Sequence, residues 1–145
     1  MIFHTKQSHL SQNKICQLKI NDISIEHVNN FTFLGVIIDS TLSWSELVKC
    51  ISNEISRTSG LLSRLKHCLP TNILKLIYNS LISSYLSYAT PVWGFNSCKR
   101  IITIQKRAIL NIVSANYNSH TEPIKKNLKI LQFQDLLSKY TLLTK

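Results

Sequence analysis

The sequence predicts an α+β fold: a short N-terminal antiparallel hairpin and a third strand, then a mainly helical bundle of three to four helices. Three observations predict it. Between Ile15 and Ile38, short runs of alternating or continuous apolar residues are separated by Asn-containing breaks, as strands are. From Trp44 onward, apolar residues recur at intervals of three, four and seven, as on amphipathic helices. Only 3 Gly and 3 Pro punctuate the 145 residues, which favours long helices. Hydrophobic residues make up 44%, enough for a packed interior. The expected organisation is a strand region at 1–43, a helical bundle at 44–115, and a helical extension at 116–145 packed on that bundle.

Met1-Ile-Phe3 reads as the end of a strand. Ile15–Ile20 reads as a strand, Asn21-Asp22 as a tight turn, and Ile23–Val28 as the returning strand, because Ile23 and Ile25 share a face opposite Ser24 and Glu26. Phe31–Ile38 reads as a single third strand covered on both sides, since both of its alternating faces are apolar. Gly35 would mark a bulge or a close backbone approach within it.

Ser43 and Glu46 have capping-box spacing, so a helix is expected from there to about Cys68, with Val48, Ile51, Ile55, Leu62, Leu65 and Leu69 inward. Thr71 should cap a second helix to about Tyr88, with Leu74, Ile77, Tyr78, Leu81, Ile82 and Tyr85 inward and Pro91 closing it. Ser97 should cap a third, to about Ala115, with Ile101, Ile104, Ala108, Ile112 and Ala115 on the core face. Thr121 and Pro123 suit the start of a short helix to about Lys126, and Gln134–Leu143 a last amphipathic one.

The formal net charge is +10, from 17 Lys+Arg against 7 Asp+Glu, which favours polyanionic partners. Arg57 and Arg64 fall on one face of the first helix, with Lys66 nearby. Lys99, Arg100, Lys106 and Arg107 form two pairs seven apart on the third, expected opposite Ile101, Ile104, Ala108 and Ile112. Lys125, Lys126 and Lys129 form a further group. Basic helix faces can track phosphates without reading sequence. The bland reading of any single cluster is a solvated face. Phe31, Phe33, Trp44 and Trp93 could stack bases, but aliphatic neighbours favour core packing for each.

Catalytic signals are missing. No two acids stand together, and no Gly-rich phosphate loop or nucleophile elbow occurs. Cys16, Cys50, Cys68 and Cys98 match no metal-ligand spacing and read as reduced thiols of an intracellular protein, nuclear or cytoplasmic. Asp39 suits loop hydrogen bonding better than lone metal ligation. His120 lacks a catalytic partner in the sequence. No signal peptide is visible, and polar residues interrupt the uncharged run Leu76–Cys98, so a buried helix is expected rather than a membrane span.

The order Phe33-Leu-Gly-Val-Ile-Ile-Asp39, Leu42-Ser-Trp44, Leu69-Pro70, Leu76-Ile-Tyr-Asn-Ser-Leu-Ile82, Tyr85-Leu-Ser-Tyr88, Trp93-Gly94, Ile104-Gln-Lys-Arg-Ala-Ile109, Tyr117 and His120-Thr-Glu-Pro123 resembles the C-terminal part of reverse transcriptases of non-LTR retrotransposons (jockey-like elements). The resemblance runs from about Met1 to Leu136. It implies that Phe33, Leu34 and Gly35 match the primer grip, that the helices after them match the thumb, and that the further helices, through Ile104-Gln-Lys-Arg107 and His120, match the region after the thumb. It also implies that the catalytic Tyr-x-Asp-Asp lies upstream of this chain. The family uses magnesium, and its ligands have no counterpart here. Leu47 stands where the family has His, and Leu110 where it has Arg, so the expectation is a truncated, decaying copy with a weakened phosphate contact on the third helix. The implied activity is non-enzymatic: weak, salt-dependent binding to RNA/DNA primer-template. The alternatives are an inert remnant and a helical protein-interaction module that self-associates through exposed apolar surface.

Overall fold

The computed structural model describes Met1, Phe3 and residues 18–95, 98–116 and 118–143. The fold is α+β, and the chain divides into two compact units, Met1–Leu47 and Val48–Lys145. Residues 15–17 of the expected first strand, Ser97 as a cap, and Tyr117 lie outside the described residues.

The first unit holds two antiparallel hairpins. β1 (Lys19–Ile20) pairs with β2 (Ile23–Ser24) across Asn21-Asp22. Both turn residues have positive φ, 50° and 62°, the geometry whose twist matches paired strands. Ile25 N–H donates to the Leu18 carbonyl at 2.9 Å and extends the pairing. Beyond it, residues 26–28 leave the ladder, so the return strand is shorter than expected.

Phe31–Ile38 is not one strand. It is a second hairpin, β3 (Asn30–Phe33) and β4 (Val36–Asp39), paired Asn30 to Asp39 through Phe33 to Val36. The chain reverses at Leu34 (φ 47°) and Gly35 (φ 76°). Gly takes that conformation freely, whereas Leu gives up about 1–2 kcal/mol there. Reversal changes the facial parity, so Phe31, Phe33, Val36 and Ile38 share one side. That side is open rather than covered: Phe31 is 52% and Phe33 57% exposed. Phe31, Phe33 and Ile38, with Met1, Phe3 and Val28, line an apolar hollow of about 370 Å³.

After β4 the Asp39 carboxylate organises the corner. It accepts hydrogen bonds from Thr41 N–H (3.0 Å), Thr41 Oγ1 (2.8 Å), Ser43 N–H (2.8 Å), Ser43 Oγ (2.8 Å) and Trp44 N–H (2.9 Å). These bonds hold Leu42 and Trp44 at positive φ. Helix α1 (Ser45–Leu65) therefore starts after Trp44. The Ser43 hydroxyl donates to Asp39 at 2.8 Å and lies 3.2 Å from Ser45 Oγ, and Ser45 N–H reaches it at 3.4 Å, a long form of the expected cap.

In the second unit, α1 buries Val48, Ile51, Ile55 and Leu62 as its periodicity predicts; Leu65 and Leu69 are only half-buried. The next rod comprises α2 (Thr71–Ile77), a π-helical segment (Tyr78–Ser83) and α3 (Ser84–Ser87). Its N-cap is Pro70, not Thr71. Leu74, Tyr78, Ile82 and Leu86 are all buried, at intervals of four. On a pure α-helix such positions drift by about 40° per step. The wider π-turn absorbs this drift and keeps the four in line. Leu81 and Tyr85, expected inward, are consequently exposed.

Ala89, at φ 50°, ends the rod, and Thr90–Trp93 forms the one-turn α4 with Pro91 in its first turn. Helix α5 (Cys98–Ile112), α6 (Thr121–Leu128, with His120 rather than Thr121 at the cap) and α7 (Phe133–Leu143) complete the unit. The helices outnumber the expected three or four because the second is broken into several segments and Thr90–Trp93 adds a separate turn. Trp93 is buried and stacks on Phe133, ring centroids 5.4 Å apart, as core packing requires. A Cβ on Gly94 would lie 2.7 Å from the Thr90 carbonyl oxygen and 2.9 Å from Leu137 Cδ1, so glycine lets α7 approach α4.

A polar hub ties these helices together. Gln105 is 1% exposed, and its Nε2 donates to Tyr78 Oη (2.9 Å) and the Leu131 carbonyl (3.0 Å). Its Oε1 accepts from Phe133 N–H (3.0 Å). No helix of the described residues is long and apolar enough to cross a membrane.

Candidate nucleic-acid interface

Helix periodicity places the basic residues. On α1, Arg57 and Arg64 are exposed, and Lys66 follows the helix half-buried. On α5, Lys99, Arg100 and Arg107 are exposed and Lys106 is half-buried, and the helix carries no acid to offset them. Arg57 pairs with Glu54 at 2.6 Å, an exposed i,i+3 contact of small energetic consequence. Lys126 and Lys129 are exposed.

Lys125 is placed differently. It is buried, and its Nζ donates to Glu122 (2.8 Å) and Gln132 (2.9 Å). That ammonium ties α6 to the α6–α7 link and is not displayed to a phosphate. Its hydrogen bond and charge hold the Glu122 carboxyl below the usual carboxylate range.

α1 and α5 meet along a polar cleft of about 250 Å³. Ser56, Ser59, Gly60 and Ser63 line the α1 side; Ile104, Arg107 and Asn111 line the α5 side. Asn111 Nδ2 donates to the Ser59 carbonyl (3.1 Å) and Oγ (3.3 Å), which fixes the two walls. Ile104, expected opposite the basic stripe, is half-buried and lines the cleft beside Arg107. Gly60 costs the helix about 1 kcal/mol relative to Ala. Packing does not require it, because a Cβ there would meet nothing within 4 Å.

The whole chain holds four arginines, Arg57, Arg64, Arg100 and Arg107, and all lie on the two helices that wall this cleft. The thirteen lysines are scattered over most of the sequence. Each arginine pair is seven residues apart, hence two turns along one helix face. The run Ser56, Ser59, Gly60, Ser63 has helical spacing that could have disclosed an open face; its meeting with Asn111 could not be read from the sequence.

Phe33, Leu34 and Gly35 sit at the tip of the β3–β4 hairpin, all exposed. Leu110 is buried on α5, so an Arg at that position would not join the exposed basic stripe. This removes the argument that Leu110 weakens a phosphate contact.

Among the described residues no three His, Cys, Asp or Glu side chains gather where a metal could bind. Asp39 has several close polar partners, and its oxygens are committed to its own loop. Burial pushes its pKa up, but hydrogen bonds from Ser43 and Thr41 together outweigh that and lower it to about 2. This donor set does not fit magnesium, which needs several open oxygens in near-octahedral array.

Comparison of the chain with family models, curated proteins and solved structures gave no match.

Proposed function

We propose that this chain is a non-catalytic nucleic-acid-binding piece, corresponding to the primer grip, the thumb and the region after the thumb of a non-LTR retrotransposon reverse transcriptase. One observation carries the binding part: α5 displays Lys99, Arg100 and Arg107 with no acid on the helix, beside the arginines of α1. Such a surface binds phosphates by releasing counterions, so affinity should fall with salt. The family part rests on the ordered sequence motifs.

The test is fluorescence anisotropy with a labelled primer-template duplex across salt. Four phosphate contacts, one per arginine, would give a log–log slope of about −3.6, and on the order of a 100-fold loss between 50 and 200 mM. Affinity indifferent to salt refutes the reading. A second reading, a protein-interaction module, is favoured by the exposed apolar residues Leu76, Leu81, Tyr85, Tyr88 and Val92 along one uncharged stretch. Concentration-dependent association in sedimentation, without duplex binding, would select it.

A further inference from the structure

We infer that the α1–α5 cleft seats one phosphodiester of a nucleic-acid strand over Gly60, gripped from the α5 side by Arg107. This rests on the reading that the chain binds nucleic acid, and it assigns that binding a specific seat. The cleft holds about 250 Å³, below the roughly 300–1,000 Å³ of pockets that enclose whole small molecules. A phosphate group fits within it with room for bound water.

The lining has the required chemistry. The Ser56 and Ser63 hydroxyls can donate to phosphate oxygens, and Arg107 presents the planar donor fork that matches them. Asn111 is fixed by its bonds to Ser59 and holds the cleft at its width. Gly60 leaves the floor without a side chain, although neither its backbone angles nor its neighbours demand glycine. At Gly94, by contrast, packing does demand it. Arg100 continues the Arg107 face of α5, while Arg57 and Arg64 flank Gly60 on α1, so adjacent phosphates of the same strand would meet cations on both sides. The acid nearest in sequence, Glu54, is already paired with Arg57.

The test is a change that leaves charge untouched. Gly60→Leu fills the floor and raises helix propensity, so the melting temperature should hold or rise. We expect it to weaken binding of a labelled oligonucleotide about tenfold and to flatten the log–log salt slope by about 0.9, one phosphate contact. In parallel, inorganic phosphate titrated into ¹⁵N-labelled wild-type chain at low salt should shift the Gly60 and Ser63 amides and the Asn111 side-chain amide, and these shifts should vanish in Gly60→Leu. Salt-dependent oligonucleotide binding that Gly60→Leu leaves unchanged overturns the cleft while the proposed function stands. Phosphate shifts centred elsewhere overturn it as well. Should the wild type bind no oligonucleotide at any salt, both readings fall.

Discussion

Replacing Gln105 with Leu tests what holds the helical unit together. The side chain is nearly conserved in volume, but three hydrogen bonds disappear. Two of them, to Tyr78 Oη and from Phe133 N–H, are buried, and each orphaned group costs about 1–3 kcal/mol. The Leu131 carbonyl is only partly buried, so water can recover most of its bond. The expected loss is therefore about 3–4 kcal/mol, a large share of a small domain's stability. Urea unfolding followed by circular dichroism reads it directly. With a slope of about 1.5 kcal/mol/M, the midpoint should drop by roughly 2 M. Tyr78→Phe removes one of the orphaned groups, so the double variant should recover about 1 kcal/mol relative to the sum of the singles. A loss under about 1 kcal/mol for Gln105→Leu, or strict additivity, would refute the hub.

Three further outcomes follow from buried polar groups. Burial raises the Tyr78 hydroxyl pKa to about 12 against a hydrogen bond from Gln105 that lowers it, while the unfolded group titrates at 10.0. The folded state thus keeps the proton longer, and stability should fall between about pH 10 and 12 by up to about 3 kcal/mol, an effect absent in Tyr78→Phe. Asp39, at about 2 folded against 3.8 unfolded, works at the other end: its contribution is present above about pH 4 and lost as pH falls through 2, about 2 kcal/mol in all, and Asp39→Ala should flatten that acid limb. Ser52 is fully buried on α1 and its Oγ has no hydrogen-bond partner among the described residues, so Ser52→Ala should raise the midpoint by the equivalent of about 1 kcal/mol.

Local periodicity made most of the fold legible. The inward rows of α1 and α5 follow from intervals of three and four, and Val48, Ile51, Ile55, Leu62, Ile101, Ala108 and Ile112 are buried as read. The Asn21-Asp22 turn and the loop role of Asp39 were equally local, since short polar side chains bond their neighbours. The reversal at Leu34-Gly35 escaped because a leucine is a poor signal for a positive φ, and an unbroken apolar run looks like one strand. The π-turn escaped because nothing in a four-residue interval distinguishes an α-helix that drifts from one that is widened to stop drifting.

What the sequence by itself determined was the α+β class, the long amphipathic α1 and α5, and the basic residues on their faces, because these depend on neighbours within two turns. Only the tertiary structure decided that Lys125 turns inward to Glu122 and Gln132, that Gln105 joins three segments, and that Ser59 meets Asn111 across a cleft between α1 and α5. Those outcomes depend on which elements come within 3 Å of each other, and a hydrogen bond between residues 52 positions apart leaves no trace in the spacing of either.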